Sequence, residues 1–384
     1  FVVDSWQSKY NQTATPALYL HIPFCKKKCK YCDFVSINAR DEFVARYVSA
    51  LEKEIKMQGK AYENAVVKTV FFGGGTPSLL SPEDFSRIMR AVKNNFKTNF
   101  SEVTVECNPE SLTQEKLEVY KAEGVNRISI GVQSFDDNIL RFLGRIHDKN
   151  MAIEAIKSAK LYFDNVSADL IIGVPGEQIP SVLHSVDLLS DLGVTHVSAY
   201  GLKVEPGTVL YELQNMGAFE LNEDFTADVY DAVLRRLESH GYERYEISNF
   251  ARDGYESRHN LAYWLRTPYL GLGAAAYSFV NGARFSNVAD VSEYVRSVEQ
   301  GVIPERAKEI LTADDEKEET IMLSLRTKYG MNVKEYNEKF HADFLAEKAA
   351  ALQKNADFLI ISNNNITINK DYFYISNAII SDLI

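Results

Sequence analysis

The sequence is poor in cysteine, in basic charge and in long apolar runs, and each shortage excludes a class of protein. Four cysteines among 384 residues are too few for a disulfide framework and fit a cytoplasmic protein with reduced thiols. Lys and Arg number 42 against 53 Asp and Glu, and the net charge of −11 argues against a nucleic-acid-binding surface. No run of about 18 apolar residues occurs, so no transmembrane span is expected. The segment from Phe1 to Ser5 also lacks the pattern of a secretory signal.

Strand and helix patterns alternate over residues 17–200. Amphipathic helix patterns separate six apolar strand patterns, which begin at Ala17, Val66, Glu102, Arg127, Asn165 and His196. Such alternation predicts parallel β/α units with right-handed crossovers. Six units make a partial version of the eight-fold barrel, so the predicted fold class is α/β with a partial (β/α)6 TIM-like barrel. Ligands of such barrels bind at the carboxyl ends of the strands.

The pattern changes after about residue 215, and the sequence predicts three regions. Residues 1–215 form the barrel, residues 216–307 a linking region, and residues 308–384 a small helical module. In the linking region, residues 242–250 alternate in polarity, which favours an edge strand. The last module is predicted to end in two strands, over 358–361 and 365–368, which resembles a winged helix. Its many acidic residues give no basic face for a nucleic acid.

Three of the four cysteines lie together at Cys25, Cys29 and Cys32, directly after the first predicted strand. The Cys-x3-Cys-x2-Cys spacing puts three thiolates on one loop, and thiolates are the ligands of iron–sulfur clusters. A cubane of four irons needs four ligands, so three cysteines leave one iron open to a small chelating molecule. Zinc, which usually has four protein ligands, and unrelated thiols are the alternatives. We expect Cys107 to be a buried apolar residue rather than a fourth ligand.

This cysteine pattern resembles that of the radical SAM superfamily, in which the open iron binds S-adenosylmethionine (SAM) through its amino and carboxylate groups. The resemblance implies a [4Fe-4S] cluster and SAM as cofactors. Lys26, Lys27 and Lys28 form a basic patch inside this motif. The patch is either a solvated loop, or compensation for an anionic cluster, or a docking point for an acidic electron donor.

Glycines and polar residues follow the other predicted strands. Gly73 to Pro77 form a turn after the second strand, and glycines let a backbone approach a ligand closely. A tight turn without a ligand would have the same composition. Glu106 ends the third strand and could bind a ribose hydroxyl or an ammonium group, although a solvent-facing acid is the plain alternative. Gln133 ends the fourth strand and offers both a donor and an acceptor.

Two charged residues complete the candidate set at the barrel mouth. Arg145 could pair with the SAM carboxylate through two parallel hydrogen bonds. Asp169 interrupts an apolar strand, where a charge is costly unless it is paired. A buried structural ion pair would explain Asp169 equally well. Tyr200, at the end of the sixth strand, lies at the same predicted edge.

A second constellation follows the barrel, where His259 and Asn260 precede Tyr263 and Trp264. Histidine can ligate haem iron and aromatic rings can pack on a porphyrin, which makes His259 a candidate haem ligand. From the residues alone, a His-Asn turn with buried aromatic side chains is the stronger interpretation, because buried aromatics are mostly core.

Taken together, these motifs resemble the oxygen-independent coproporphyrinogen III oxidase family of radical SAM proteins over nearly the whole chain. The oxidases of this family carry a fourth cysteine two residues after the third, where this chain has Phe34. The His259 to Trp264 motif is typical of the haem-chaperone branch. The resemblance implies that Cys25, Cys29 and Cys32 hold the cluster. It also implies that the SAM contacts are Tyr19, Gly74, Gly75, Thr76, Glu106, Gln133, Arg145 and Asp169.

The expected function is therefore that of a cytoplasmic haem chaperone, with haem as a third bound group. Expected partners are haem-accepting proteins such as respiratory enzymes and an electron donor, while a homodimer and peripheral membrane association stay open. The enzymatic alternative is decarboxylation of coproporphyrinogen III to protoporphyrinogen IX. A plain zinc or structural protein is the third possible function. The sequence leaves open whether the protein cleaves SAM and catalyses a radical reaction.

Overall fold

The computed structural model describes residues 16–62 and 65–384, so the segment from Phe1 to Ser5 lies outside the described residues. Six parallel strands form the centre of one twelve-stranded sheet. They are β1 (Ala17–Ile22), β2 (Val66–Gly74), β3 (Lys97–Cys107), β4 (Arg127–Gln133), β5 (Asn165–Ile172) and β6 (His196–Gly201). Each pairs in parallel with the next in chain order, as the alternating pattern predicts.

Helices cross over between these strands and cover their outer face. They are α1 (Asp41–Ala61), α2 (Pro82–Asn95), α3 (Gln114–Ala122), α4 (Asp137–Leu143), α5 (Lys149–Lys160) and α6 (Ile179–Asp191). Helix α2 begins at Pro82 because the Ser81 side chain accepts a hydrogen bond from the Asp84 N–H. Its apolar stripe recurs at helical spacing and buries Phe85, Ile88 and Val92 fully against the sheet.

Alternate residues of each strand point to opposite faces of the sheet. On β1, Leu18, Leu20 and Ile22 are fully buried in the main core under the helices. On β3 the residues Val103, Val105 and Cys107 lie in the same core. The opposite set on every strand therefore faces the interior of the barrel, and it includes most of the polar candidates.

The region after residue 215 extends the sheet at both edges. Helices α7 (Val209–Asn215) and α8 (Glu223–Ser239) lead to β7 (Glu243–Arg244) and β8 (Asn249–Ala251), and β8 pairs antiparallel with β6. The other edge is formed by β9 (Tyr269–Leu272), β10 (Tyr277–Val280), β11 (Ala283–Asn287) and β12 (Glu305–Ile310). Strand β9 runs parallel to β1, and helix α10 (Val291–Glu299) lies between β11 and β12.

Two expectations for this region were wrong in detail. Residues 242–250 form two short strands rather than one, because the buried Glu246 carboxylate accepts hydrogen bonds from Ser248 N–H and the Asn249 amide and bends the chain. The His-Asn segment is a helix, α9 (Arg258–Trp264), rather than a turn. Ser257 caps this helix by accepting from the Asn260 N–H.

The last module has its own core around Leu325, Phe344 and Ile366. Its helices are α11 (Ala313–Ser324), α12 (Val333–Phe340), α13 (Phe344–Glu347), α14 (Ala349–Lys354) and α15 (Ser376–Leu383). Its three-stranded sheet has the order β13 (Met331–Asn332), β15 (Asn365–Ile368), β14 (Leu359–Ser362). The two strands predicted over 358–361 and 365–368 are present as β14 and β15. They do not end the module, since α15 follows them and buries Ile380 and Leu383.

The predicted region limits at residues 215 and 307 stay predictions, and the large sheet continues across both. Across the described ranges, 16–62 and 65–384, no helix combines the length and the apolar character that a bilayer crossing needs.

Candidate metal centre and cofactor site

The cysteine loop leaves the carboxyl end of β1 and is held from three sides. Cys25 N–H donates to Ile37 O at 3.0 Å, and Lys30 N–H donates to Leu143 O at the end of α4, also at 3.0 Å. The His21 ring, at the end of β1, contacts Val35 O through Nε2 at 2.9 Å. These contacts fix Cys25, Cys29 and Cys32 on one loop as free, partly exposed thiols at the barrel mouth.

Two side chains from other elements reach the thiols. Arg145 Nη1 donates to Cys29 Sγ at 3.4 Å, and Thr76 Oγ1 lies 3.5 Å from Cys25 Sγ. Burial, with a smaller effect of the neighbouring cysteines, raises the pKa of Cys32 to about 11. Three adjacent thiolates therefore need positive charge beside them, and the Arg145 guanidinium provides part of it.

The donor set fits an iron–sulfur cluster. In the part of the chain that the structure describes, no three His, Cys, Asp or Glu side chains are arranged to hold a single metal ion. A cluster does not need such convergence, because each thiolate binds a different iron atom. The three thiols of this loop consequently fit a cluster better than a zinc ion.

The glycine turn after β2 packs directly against the cysteine loop. Gly75 N–H donates to Ile22 O at 2.9 Å and Thr76 N–H donates to Phe24 O at 2.8 Å. A Cβ on Gly75 would lie 2.7 Å from Phe24 O, and Gly74 has a φ of +108°. Close contact with the loop thus already requires glycine here. The turn brings the Gly74, Gly75 and Thr76 backbone beside the thiols.

Two carboxylates, from the strands on either side of β4, face the barrel interior. Glu106 on β3 accepts a hydrogen bond from Gly74 N–H at 3.2 Å, and Ser129 on β4 donates to Asp169 on β5 at 3.5 Å. Burial raises the pKa of Glu106 to about 8, and the charge of Asp169 adds to this effect. Burial also raises the pKa of Asp169. The site is therefore acidic, and a cationic ligand would relieve the repulsion between the two groups.

Arg145, Gln133 and Asn108 converge above Gly131. Arg145 Nη2 donates to Asn108 Oδ1 and to Gly131 O, both at 2.8 Å. The backbone of Gln133 has a φ of 66°, which is strained for a residue other than glycine and is often found at functional sites. Asn108, which also donates to Thr76 Oγ1 at 3.1 Å, was missed from the sequence. Its position directly after β3 was the available signal.

The candidates Tyr19 and His259 belong to a stack of rings inside the barrel. Tyr19 stacks on Phe71, and Phe71 stacks on His259 with centroids 5.1 Å apart. His259 is completely buried, with Nδ1 at 3.0 Å from Thr69 Oγ1 and Nε2 at 2.9 Å from Tyr263 OH. Burial lowers the pKa of His259 to about 3. Ligation of haem by His259 stays a prediction, and in this conformation both ring nitrogens already have partners.

Comparisons with known proteins identify the family of this chain. Residues 19–189 match the sequence model of the Radical SAM superfamily. The chain is 38% identical over 326 residues to the heme chaperone HemW of Bacillus subtilis, which covers 84% of this chain and 86% of that protein. The chain belongs to the HemW family. A second HemW, from Lactococcus lactis, is 34% identical over 85% of both chains.

The solved structure of coproporphyrinogen III oxidase (HemN) from Escherichia coli has the same fold as this HemW-family chain. The TM-score is 0.85, and the match covers 100% of this chain and 93% of that one at 23% identity. This likeness confirms the predicted α/β radical SAM fold with a smaller C-terminal domain. Membership of the radical SAM superfamily implies a [4Fe-4S] cluster and SAM.

Proposed function

We propose that this chain is a haem chaperone that binds haem and delivers it to haem-dependent proteins. The observation that carries the proposal is its likeness to HemW proteins, which extends over 84% of the chain in the Bacillus subtilis case. The expected acceptors are haem-requiring proteins such as respiratory enzymes. The three loop cysteines are free thiols, and we accordingly assign the protein to a reducing compartment, the cytoplasm.

We assign the cluster to Cys25, Cys29 and Cys32, which leaves one iron open to SAM. When bound, the reduced cluster supplies one electron to SAM. In this chain, Arg145 and Thr76 contact two of the three sulfur atoms and thus lower the cost of gathering negative charge on the loop. The exposed Lys26, Lys27 and Lys28 offer a basic surface to an acidic electron donor.

We assign the SAM contacts to the residues that surround these thiols at the barrel mouth. Glu106 and Asp169 provide negative charge and hydrogen-bond acceptors for hydroxyl or ammonium groups. Gln133 and Arg145 provide donors above Gly131. The remaining assigned contacts, which line the same opening, are Tyr19, Gly74, Gly75 and Thr76.

A single preparation separates the chaperone from an oxidase. The protein is reconstituted anaerobically with iron and sulfide and then divided. One half is titrated with haem and mixed with an apo-haem protein, and the other receives coproporphyrinogen III, SAM and a reductant. We expect stoichiometric haem binding, haem transfer and no protoporphyrinogen IX. Formation of protoporphyrinogen IX without haem transfer would overturn the proposal in favour of the oxidase.

A further inference from the structure

Arg127, the first residue of β4, is a buried positive charge inside the barrel. Only 2% of the residue is exposed, and it is the largest of the fully buried side chains. Its Nε and Nη1 atoms have no hydrogen-bond partner among the described residues. An arginine side chain remains charged in proteins, and an unsatisfied buried charge is costly. A negative charge that is not in direct contact must therefore compensate for the guanidinium charge.

The strand register shows what Arg127 faces. Arg127, Ser129 and Gly131 alternate along β4 and lie on the same face of the sheet. Ser129 is paired in register with Glu106 and donates to Asp169. The guanidinium therefore lies on the interior face. Ser129, which is adjacent to both carboxylates, is two residues further along β4.

Other elements contribute mostly neutral groups to this pair of carboxylates. They are Tyr19 from β1, the Gly74 N–H from β2, Ser198 and Tyr200 from β6 and Tyr263 from α9. The cations are Arg127, which lowers the pKa of both Glu106 and Asp169, and Arg145, which acts on Asp169. Arg145 is also committed to Cys29 and Asn108.

Buried groups from several elements surround Arg127 itself. His196 and His259 are buried, and burial with the nearby guanidinium lowers the pKa of both rings. Tyr245 is buried on the same side and donates to neither carboxylate. Glu102, on the same face of β3 as Glu106, is a further carboxylate, and it accepts from Arg258 N–H and His259 N–H at the start of α9.

We propose that Arg127 is a positioning residue that favours the ionised form of Glu106 and Asp169, so that the barrel mouth attracts the cationic SAM. This rests on the proposed assignment of SAM to the two carboxylates. The coupling gives a characteristic pH dependence. Without Arg127, Glu106 keeps its proton up to a higher pH, and SAM must displace that proton when it binds. At a pH where both carboxylates are ionised, removal of Arg127 instead removes a charge that repels the cationic SAM.

The test is calorimetric titration of the reconstituted holoprotein with SAM between about pH 6.5 and 9.5. The variants are Arg127→Gln, Arg127→Lys and, as a matched control on the exposed side of α2, Arg90→Gln. We expect Arg127→Gln to move the pH midpoint of binding upward by about one unit, which weakens binding about tenfold at pH 7. At the alkaline limit it binds as tightly as the unaltered protein or more tightly. Arg127→Lys restores the profile, and Arg90→Gln does not change it.

Two results for Arg127→Gln would overturn the proposal. One is an unchanged midpoint in Arg127→Gln, and the other is equal weakening at every pH, which would indicate a purely structural role. If the unaltered holoprotein carries its cluster but does not bind SAM, the assignment of the site fails and this proposal fails with it. That outcome is distinguishable, because it is seen before any Arg127 variant is compared. Thermal unfolding of each variant at pH 7 separates loss of folding from loss of binding.

Discussion

Arg145 and Arg127 differ in how far the sequence could predict their roles. Arg145 follows a Leu-Gly pair near the barrel mouth, and its position in the chain already indicated a site residue. Its partners Cys29 and Asn108 lie 116 and 37 residues away in the chain and could not be predicted from local pattern. Arg127 begins an apolar strand, where a lone charge looks like a strand boundary. Only the assembled sheet shows that it is buried on the same interior face as Glu106 and Asp169.

His259 gives a pH prediction at the same scale. Its ring is buried and its pKa lies at about 3, below the ordinary value of 6.5 in the unfolded chain. As pH falls below 6.5, the unfolded chain takes up a proton that the folded protein does not, so the folded state loses stability. Between pH 7 and 4.5 the free energy of unfolding should fall by about 2–3 kcal/mol more in the unaltered protein than in His259→Gln.

The measurement for His259 is urea unfolding at both pH values. The difference between the two proteins cancels the contributions of other titrating groups. His184→Gln removes an exposed histidine of α6 and serves as the control, for which we expect no comparable change. A stability difference between His259→Gln and the unaltered protein that stays constant from pH 7 to 4.5 would show that the ring is protonated in the fold.

At the scale of elements, α9 was the largest departure from expectation. The segment looked like a turn because seven residues with three aromatic or histidine rings have little helical tendency of their own. The helix begins at Arg258 because Glu102 accepts two of its first backbone N–H groups, at 2.8 and 3.0 Å. Glu102 lies 155 residues before Ser257, so local sequence carried no signal for it. Strands β1 to β6, by contrast, repeat a local pattern and were predictable.

Glu102→Ala should test this dependence. The substitution removes the acceptor of the Arg258 N–H and of the buried His259 N–H, and we expect a loss of about 2–4 kcal/mol in the free energy of unfolding. Thr113→Ala, which removes the cap of α3, should cost only about 1 kcal/mol. Both are measured by urea unfolding. Equal losses in the two variants would show that Glu102 contributes no more than an ordinary helix cap.

At the scale of the whole molecule, Arg266 connects the barrel to the C-terminal module. Its side chain is nearly buried and donates through Nη1 to Glu316 O at 2.9 Å and to Thr320 Oγ1 at 3.1 Å on α11. Its Nη2 lies 3.3 Å from Glu319. The same guanidinium lies over the ring of Phe279 of β10, 5.3 Å from its centroid. One side chain therefore joins α9, the sheet edge and α11.

Arg266→Met should loosen this junction. The change leaves Glu316 and Glu319 without their buried partner, and we expect a loss of about 2 kcal/mol, which is moderate because both glutamates keep some exposure. Arg235→Met breaks an exposed pair with Asp231 on α8 and should cost less than about 0.5 kcal/mol. Urea unfolding followed by circular dichroism compares them. If Arg266→Met is no more destabilising than Arg235→Met, the junction contributes nothing to stability.

At this scale too, features formed by residues close together in the chain were predicted, and features formed by distant residues were not. The six β/α units and the cysteine loop follow from local periodicity and spacing, and both were predicted. The additions at the sheet edges, such as β9 beside β1, join segments about 250 residues apart, and no local pattern specifies them. The final helix α15 was missed because its apolar stripe completes the core of a module whose other members are distant in sequence.

The central claim is that three thiolates hold a cluster with one iron open to SAM. Its most direct test is low-temperature electron paramagnetic resonance of the reconstituted, reduced protein before and after SAM is added, with Cys29→Ala and Cys107→Ala as the matched pair. We predict a reduced-cluster signal that SAM changes, that survives in Cys107→Ala and that disappears in Cys29→Ala. A signal that saturating SAM leaves unchanged, or a protein that takes up zinc but no iron and sulfide, would contradict the account.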